Sequence, residues 1–212
     1  CYRDGGVPAG AFHLVTGRGA VAGEALWRHP DVNGITFTGS YPVGMDIYKN
    51  FATNVPKPVI CEMGGKNPTI VTKSADIDKA TTGVMRSAFG FGGQKCSACS
   101  RVYVEREVYD DFVSQLKTKT EQIKVGNPIE RDEVALDTYE EAAEEAQKNG
   151  TLVTGGQRIT EGDLGRGLFV EPTIAEAPED SWIWHKELFV PFVVVAPFDE
   201  LDDAIEKANA TE

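Results

Sequence analysis

The chain has 212 residues, 33 acidic against 21 basic side chains, and a formal net charge of −12. That balance excludes nucleic acid or an anionic membrane surface as the main partner, because both repel it. A hydrophobic fraction of 41% with 22 Gly and 11 Pro is that of a globular chain and not of a disordered or collagen-like one. No apolar run approaches the roughly 20 residues of a membrane helix, and no apolar h-region opens the sequence, so neither an anchor nor a signal peptide is expected. Four cysteines (Cys1, Cys61, Cys96 and Cys99) are too few for a disulfide scaffold and read as reduced thiols of a cytoplasmic protein.

Short β-branched runs alternate with helical patterns along the chain, which predicts an α/β fold with largely parallel strands. In chain order, strands are expected at 13–16, 34–38, 57–60, 69–71, 101–105, 152–154, 170–174 and 193–197. Helices are expected at 43–52, 76–89, 109–123, 134–149 and 201–209. In the third helix Tyr109, Phe112, Val113, Leu116 and Ile123 share one face. Gly150 stands where a left-handed C-terminal cap is expected, and the Glu-rich stretch 140–145 reads as a solvated helix face. The chain opens on Cys1 without a start methionine and stops at Glu212 directly after a helix, so a fragment of a longer protein is expected.

Three local patterns could carry chemistry. In the first, the β-branched run 35–38 meets Gly39 and Ser40, with Ser40 as N-cap and Pro42 in the first turn of a helix. A helix start of this kind aims N–H groups and a positive dipole end at one point and suits a phosphate, though any capped helix after a strand looks the same. Gly17 lies in a weaker turn of that kind.

The second pattern is Cys-Glu-Met-Gly-Gly-Lys-Asn-Pro at 61–68. It places Glu62 at the end of a strand, where partial desolvation would suit a general base and where a plain surface glutamate is equally at home. In the third, a helix ends in a glycine-rich turn, Gly-Gly-Gln-Lys at 92–95, that presents Cys96 before a strand at Arg101. Lys95 and the N–H groups of the turn could lower the thiol pKa and hold an oxyanion.

Cys96 and Cys99 also form a C-x-x-C pair, which admits a dithiol redox or zinc-binding module. A redox dithiol wants strand, turn, helix, and the order here is helix, turn, strand; a zinc site needs further ligands, and Cys1, Cys61, His13, His29 and His185 show no paired spacing. Burial as a small hydrophobe is the expected fate of Cys99. A structural fragment serving only as an interaction surface is a third possibility.

Taken together, in this order and spacing, the three patterns resemble the aldehyde dehydrogenase superfamily over essentially the whole chain. The run 93–101 is most similar to 1-pyrroline-5-carboxylate (glutamate semialdehyde) dehydrogenases within it. The resemblance implies a tail of a Rossmann-like cofactor domain over 1–64, followed by an α/β catalytic (thiol) domain over 65–212 that is truncated at its C-terminus. It implies NAD(P)-dependent oxidation of an aldehyde, with Cys96 as nucleophile and Glu62 as the base that activates water. Gly17, Gly39, Ser40, Val43, Met63, Glu187 and Phe189 then fall to the cofactor, NAD or NADP, and Ser97 to the substrate.

The implied substrate is glutamate semialdehyde, with another or a broader range of semialdehydes as the alternative. Proline metabolism, a homo-oligomeric parent enzyme and no metal follow from the same likeness. Three local departures stand out. Cys61 replaces an aliphatic residue, Val190 replaces a glycine whose backbone conformation it has to reproduce, and the stretch 127–134 is short. Family members are more than twice as long, so the fragment alone is expected to be inactive.

Overall fold

The computed structural model describes residue 2 and residues 4–126 and 133–211; Cys1, Glu212 and most of the stretch 127–134, expected to be short, lie outside the described residues. The chain divides into two compact units, Cys1–Met63 and Gly64–Glu212.

In the first unit a short helical segment, Gly19–Gly23 followed by α1 (Glu24–Trp27), precedes two parallel strands, β1 (Ile35–Thr38) and β2 (Val59–Glu62), joined by α2 (Tyr41–Asn50). Trp27, Ile47 and Phe51 are its buried apolar residues, with Val32, Ile35, Phe37, Val59 and Cys61 packed around them. The strand expected at 13–16 is absent: among the described residues β1 pairs only with β2, and Leu14 and Val15 are exposed. A β-branched run without a partner for its N–H and C=O groups gains nothing by extending as a strand. The strand expected at 57–60 begins two residues later, after Pro58, which has no N–H to donate, while Lys57 reaches the carbonyls of Pro30 and Val32.

The second unit is a five-stranded sheet in the order β3-β4-β7-β6-β5. Its strands are β3 (Asn67–Val71), β4 (Cys99–Glu105), β5 (Thr151–Thr154), β6 (Thr173–Glu176) and β7 (Phe192–Phe198). All pairings are parallel except β5 with β6. The helices are α3 (Ile77–Phe89), α4 (Tyr109–Glu121), α5 (Glu133–Asn149) and α6 (Leu201–Asn209).

Alternation along the central strands explains the layering. Val102, Val104, Val193 and Val195 enter one core with Val84, Phe112 and Leu116 of α3 and α4. Tyr103, Val194 and Ala196 enter another with Tyr139, Ala142, Ala146 and Ala204 of α5 and α6. The apolar face read for 109–123 is therefore the buried face of α4, and Glu140, Glu141 and Glu144 are exposed on α5.

Two expectations in this unit are corrected. The strand expected at 170–174 starts only at Thr173, because Pro172 interrupts it and Val170 makes an isolated bridge to Arg158. Gly150 does not adopt the left-handed conformation; its N–H completes the helix to the Ala146 carbonyl, and a Cβ there would collide with the Glu176 carbonyl. Close approach of backbones, and not positive φ, is why glycine fits at that position.

Candidate active site

In the first unit the parallel pairing of Thr38 with Glu62 brings the ends of both strands to one sheet edge. Gly39 N–H donates to the Glu62 carbonyl at 3.0 Å, so the Gly-Ser turn and the Glu-Met segment lie side by side. Ser40 occupies the N-cap position of α2, and Pro42 its first turn, yet the Ser40 hydroxyl caps no N–H. Val43 is exposed on that first turn. Met63 packs on Gly44, where a Cβ would lie 2.7 Å from the Met63 Cγ, and the Cys61 thiol donates to the Gly44 carbonyl at 3.5 Å. Glu62 itself is exposed, so the desolvation inferred from its position is not supplied by this chain. Gly17 lies outside regular structure, and a Cβ on it would crowd Ala22 at 2.7 Å.

In the second unit α3 runs into a turn in which Phe91, Gly92 and Gly93 all have φ between 61° and 71°. Gly93 is doubly constrained, since a Cβ would also strike the Val190 carbonyl. This turn delivers Cys96 to the surface with a free, exposed thiol, next to exposed Ser97. Asn67, at the start of β3, donates its Nδ2 to the Cys96 carbonyl at 2.6 Å and to the Ala98 carbonyl at 3.1 Å. The N–H groups of Gln94, Lys95 and Ala98 are engaged within the turn, whereas those of Cys96 and Ser97 find no acceptor among the described residues. Lys95 folds back over Gly90, with its Nζ 3.4 Å from where a Cβ there would sit.

Cys99, three residues on, has a different fate. It is buried as the first residue of β4, with its thiol 3.2 Å from the Thr69 hydroxyl and its N–H on the Ser87 hydroxyl. Burial pushes this thiol up, so it is a poor source of thiolate. An exposed thiol and a buried one do not make a ready dithiol.

Glu187 comes to the same unit from the segment ahead of β7. Its carboxylate accepts the Gly65 N–H at 3.1 Å, and a Cβ at Gly64 would fall inside that carboxylate, which is why the first of the paired glycines is needed. Phe189, half exposed, takes φ of 57°; the neighbouring Val190 is buried and does not have positive φ. The concern raised by valine in place of glycine is thereby resolved, because the left-handed residue of this turn is the phenylalanine.

Three residues were not singled out in the sequence. Asn67 fixes the cysteine turn. Lys66 is buried. Arg101, almost wholly buried, donates to the carbonyls of Lys66, Lys207 and Ala208, tying the start of β3 to the end of α6. No group of His, Cys, Asp and Glu among the described residues is arranged to hold a metal ion, and no described helix is long and apolar enough to cross a membrane.

The aldehyde dehydrogenase family model matches residues 1–212. The chain belongs to the aldehyde dehydrogenase family. It is 40% identical to the 1-pyrroline-5-carboxylate dehydrogenase of Anoxybacillus flavithermus, over 99% of this chain and 43% of the relative. It is equally, 40%, identical to the 3,6-anhydro-alpha-L-galactose dehydrogenase of Vibrio sp., over 98% of this chain and 45% of the relative. Among solved structures it is similar to a 1-pyrroline-5-carboxylate dehydrogenase from Thermus with bound NAD, at 34% identity and a TM-score of 0.84, covering 92% of this chain and 40% of that one. The chain thus spans less than half the length of these relatives, and its α/β architecture is that of the family.

Proposed function

We propose that the protein to which this chain belongs oxidises an aldehyde to a carboxylic acid, with NAD or NADP as oxidant, through a covalent adduct on Cys96. One observation carries the reading: Cys96 is an exposed thiol on a turn whose carbonyl is fixed by Asn67, while its own N–H is uncommitted. An N–H left free beside a nucleophile is what an oxyanion needs.

In this reading residues 1–64 supply the tail of a Rossmann-like cofactor domain and 65–212 most of the catalytic domain. The residues present fit a nicotinamide dinucleotide. The start of α2, uncapped by Ser40 and preceded by Gly39, suits a pyrophosphate, and exposed Val43 suits an adenine face. Gly17 and Met63 are assigned to the same ligand. In the second unit the Glu187 carboxylate, pinned by Gly65 N–H, is left with acceptor capacity for ribose hydroxyls, and half-exposed Phe189 offers an apolar surface beside it. When bound, the nicotinamide supplies the two-electron acceptor for the carbon–hydrogen bond of the adduct.

The Cys96 thiolate adds to the aldehyde carbonyl, forming a C–S bond and an oxyanion that the Cys96 N–H stabilises. Loss of the hydrogen with the C–H electron pair, as hydride to that acceptor, converts the thiohemiacetal oxyanion into a thioester. Glu62 takes a proton from water as it attacks the thioester carbon. The C–S bond then breaks, releasing the acid and restoring the thiolate.

The substrate reading is glutamate semialdehyde, supported by the likeness to 1-pyrroline-5-carboxylate dehydrogenases and by Ser97 beside the nucleophile. Equal identity to a 3,6-anhydro-alpha-L-galactose dehydrogenase keeps a second reading, a different or broader range of aldehydes. The test is NADH or NADPH formation by the full-length enzyme over a panel of aldehydes. Turnover is expected with glutamate semialdehyde foremost, and a loss of at least about 10⁴-fold in kcat on Cys96→Ala. Wild-type turnover by C96A would refute the covalent route. The 212-residue chain, which spans under half of its relatives, is expected to give no turnover in the same assay.

A further inference from the structure

The amine of Lys66 is buried and, among the described residues, has no hydrogen-bond partner. An ammonium buried without an acceptor is costly, so such a group gives up its proton. Burial first, then the Arg101 guanidinium, brings Lys66 down to about 7, while Glu187 and Cys99 act in the opposite direction.

Among the described residues, the charged and titratable groups that act on it are Arg101 and Cys99 from β4 and Glu187 from the segment ahead of β7. Arg101 is fixed by its bonds to the carbonyls of Lys66, Lys207 and Ala208 and keeps its charge. The Cys99 thiol is pushed up by burial and stays neutral at pH 7. Glu187 is then the anion whose charge the Lys66 proton opposes. Its carboxylate is held on Gly65 N–H and against Gly64, within two residues of Lys66 along the chain.

We propose that Lys66 is a positioning residue for Glu187: as a neutral amine it leaves the carboxylate free to accept the cofactor's ribose hydroxyls, and as an ammonium it draws the carboxylate inward and weakens that grip. The inference rests on the reading of Glu187 as a cofactor-binding residue. Protonation of Lys66 and cofactor binding then compete, so affinity is lowest at acid pH and rises as the amine loses its proton.

The test is the Kd of the full-length enzyme for NAD⁺, and separately for NADP⁺, measured by tryptophan fluorescence quenching without aldehyde between pH 6 and pH 8. For a tenfold change in the acidity of Lys66 on binding, the wild-type Kd of the better cofactor is expected to be about fivefold weaker at pH 6 than at pH 8. K66M is expected to bind at every pH about as the wild type does at pH 8, and K66R about tenfold more weakly than K66M at every pH, the limit that the wild type only approaches at pH 6. A K66M profile that coincides with the wild type, or a dependence of opposite sign, would overturn the proposal.

A second measurement needs no variant that has to fold. In ¹³C-lysine-labelled wild-type enzyme, the Lys66 ε-carbon is expected to titrate near neutrality and to shift to lower pH when the cofactor is added. Titration in the ordinary lysine range, or no movement with cofactor, would overturn it as well. If the wild type binds neither dinucleotide at any pH, the proposed function falls and takes this inference with it. Binding that ignores Lys66 sinks the inference alone.

Discussion

The two units of this chain solve the same problem with unequal means. Gly64–Glu212 buries both faces of a five-stranded sheet, with Val102 and Val193 on one side and Tyr103 and Val194 on the other. Among its described residues, Cys1–Met63 has two paired strands, three buried apolar residues, and Leu14, Val15, Val21, Leu26 and Tyr48 exposed. A parallel sheet is ordinarily covered on both faces, and two strands with one helix between them cannot exclude water from both. The cysteine turn therefore hangs from a well-buried frame, whereas the Gly-Ser and Glu-Met segments rest on a thinly buried one.

The sharpest way to break this contrast is native-state hydrogen exchange. Amides of β4 and β7 are expected to exchange at least about 10³-fold more slowly than those of β1 and β2, since local opening reports how much burial each element must give up. Equal protection would mean that the small unit holds together by something other than its visible core.

Core truncation probes the same difference by mutation. Phe112→Ala removes a fully buried ring from the contact of α4 with the sheet and is expected to cost about 3–5 kcal/mol in urea unfolding of the second unit. Ile47→Ala is expected to fall at or below the low end for such truncations, about 2 kcal/mol, because its surroundings are half exposed and collapse more readily. Reversal of that order would refute the ranking of the two cores.

Lys66 gives an effect of opposite sign inside the stronger unit. Its amine holds a proton less tightly in the folded chain, near 7, than in the unfolded one, near 10.5. Folding therefore releases a proton between those values, and stability rises with pH across that window. Lys66→Met removes the penalty, so the variant is expected to be more stable than the wild type by a few kcal/mol, roughly 2–4, at pH 7. The advantage shrinks toward zero as pH approaches the ordinary lysine range. Thermal melts of both proteins at pH 7 and pH 10 check this, and a pH-independent difference would show that Lys66 is charged when folded.

What could be read in advance follows the same division. Strands 101–105 and 193–197 were legible because burial on both faces writes a continuous run of Val, Tyr and Ala into the sequence. Residues 13–16 carry the same β-branched look, but a strand depends on a partner, and no window of sequence reveals that none is there. Pro58 and Pro172 displace two strand starts for a reason that the sequence carries, the missing N–H. In the candidate site Cys96 and Glu187 stood out by motif. Asn67 and Arg101 did not, because their roles arise from bonds to residues such as Cys96, Lys207 and Ala208, about 30 to more than 100 positions away, and Lys66 did not, because the burial of its amine is made by residues distant in the chain, Arg101 and Glu187 among them. Long-range satisfaction of polar groups leaves little local trace.

The smallest effect separates two helix starts that look alike in sequence. Asp76 precedes α3 and its carboxylate accepts Lys79 N–H at 3.1 Å, with that bond and the Lys79 ammonium holding the carboxyl below its usual range. Ser40 precedes α2 with the same extended backbone and makes no such bond. Asp76→Ala is expected to cost about 1 kcal/mol, the ordinary value of an N-cap, and the loss should fade as pH drops below the carboxylate range, where protonation already weakens the cap. Ser40→Ala is expected to change stability by no more than a few tenths of a kcal/mol, because no capping bond is removed. Its effect should appear instead as weaker dinucleotide binding by the full-length enzyme. If S40A destabilises as much as D76A, the hydroxyl caps α2 in solution, and the start of that helix is spoken for by its own chain and not left open to a phosphate.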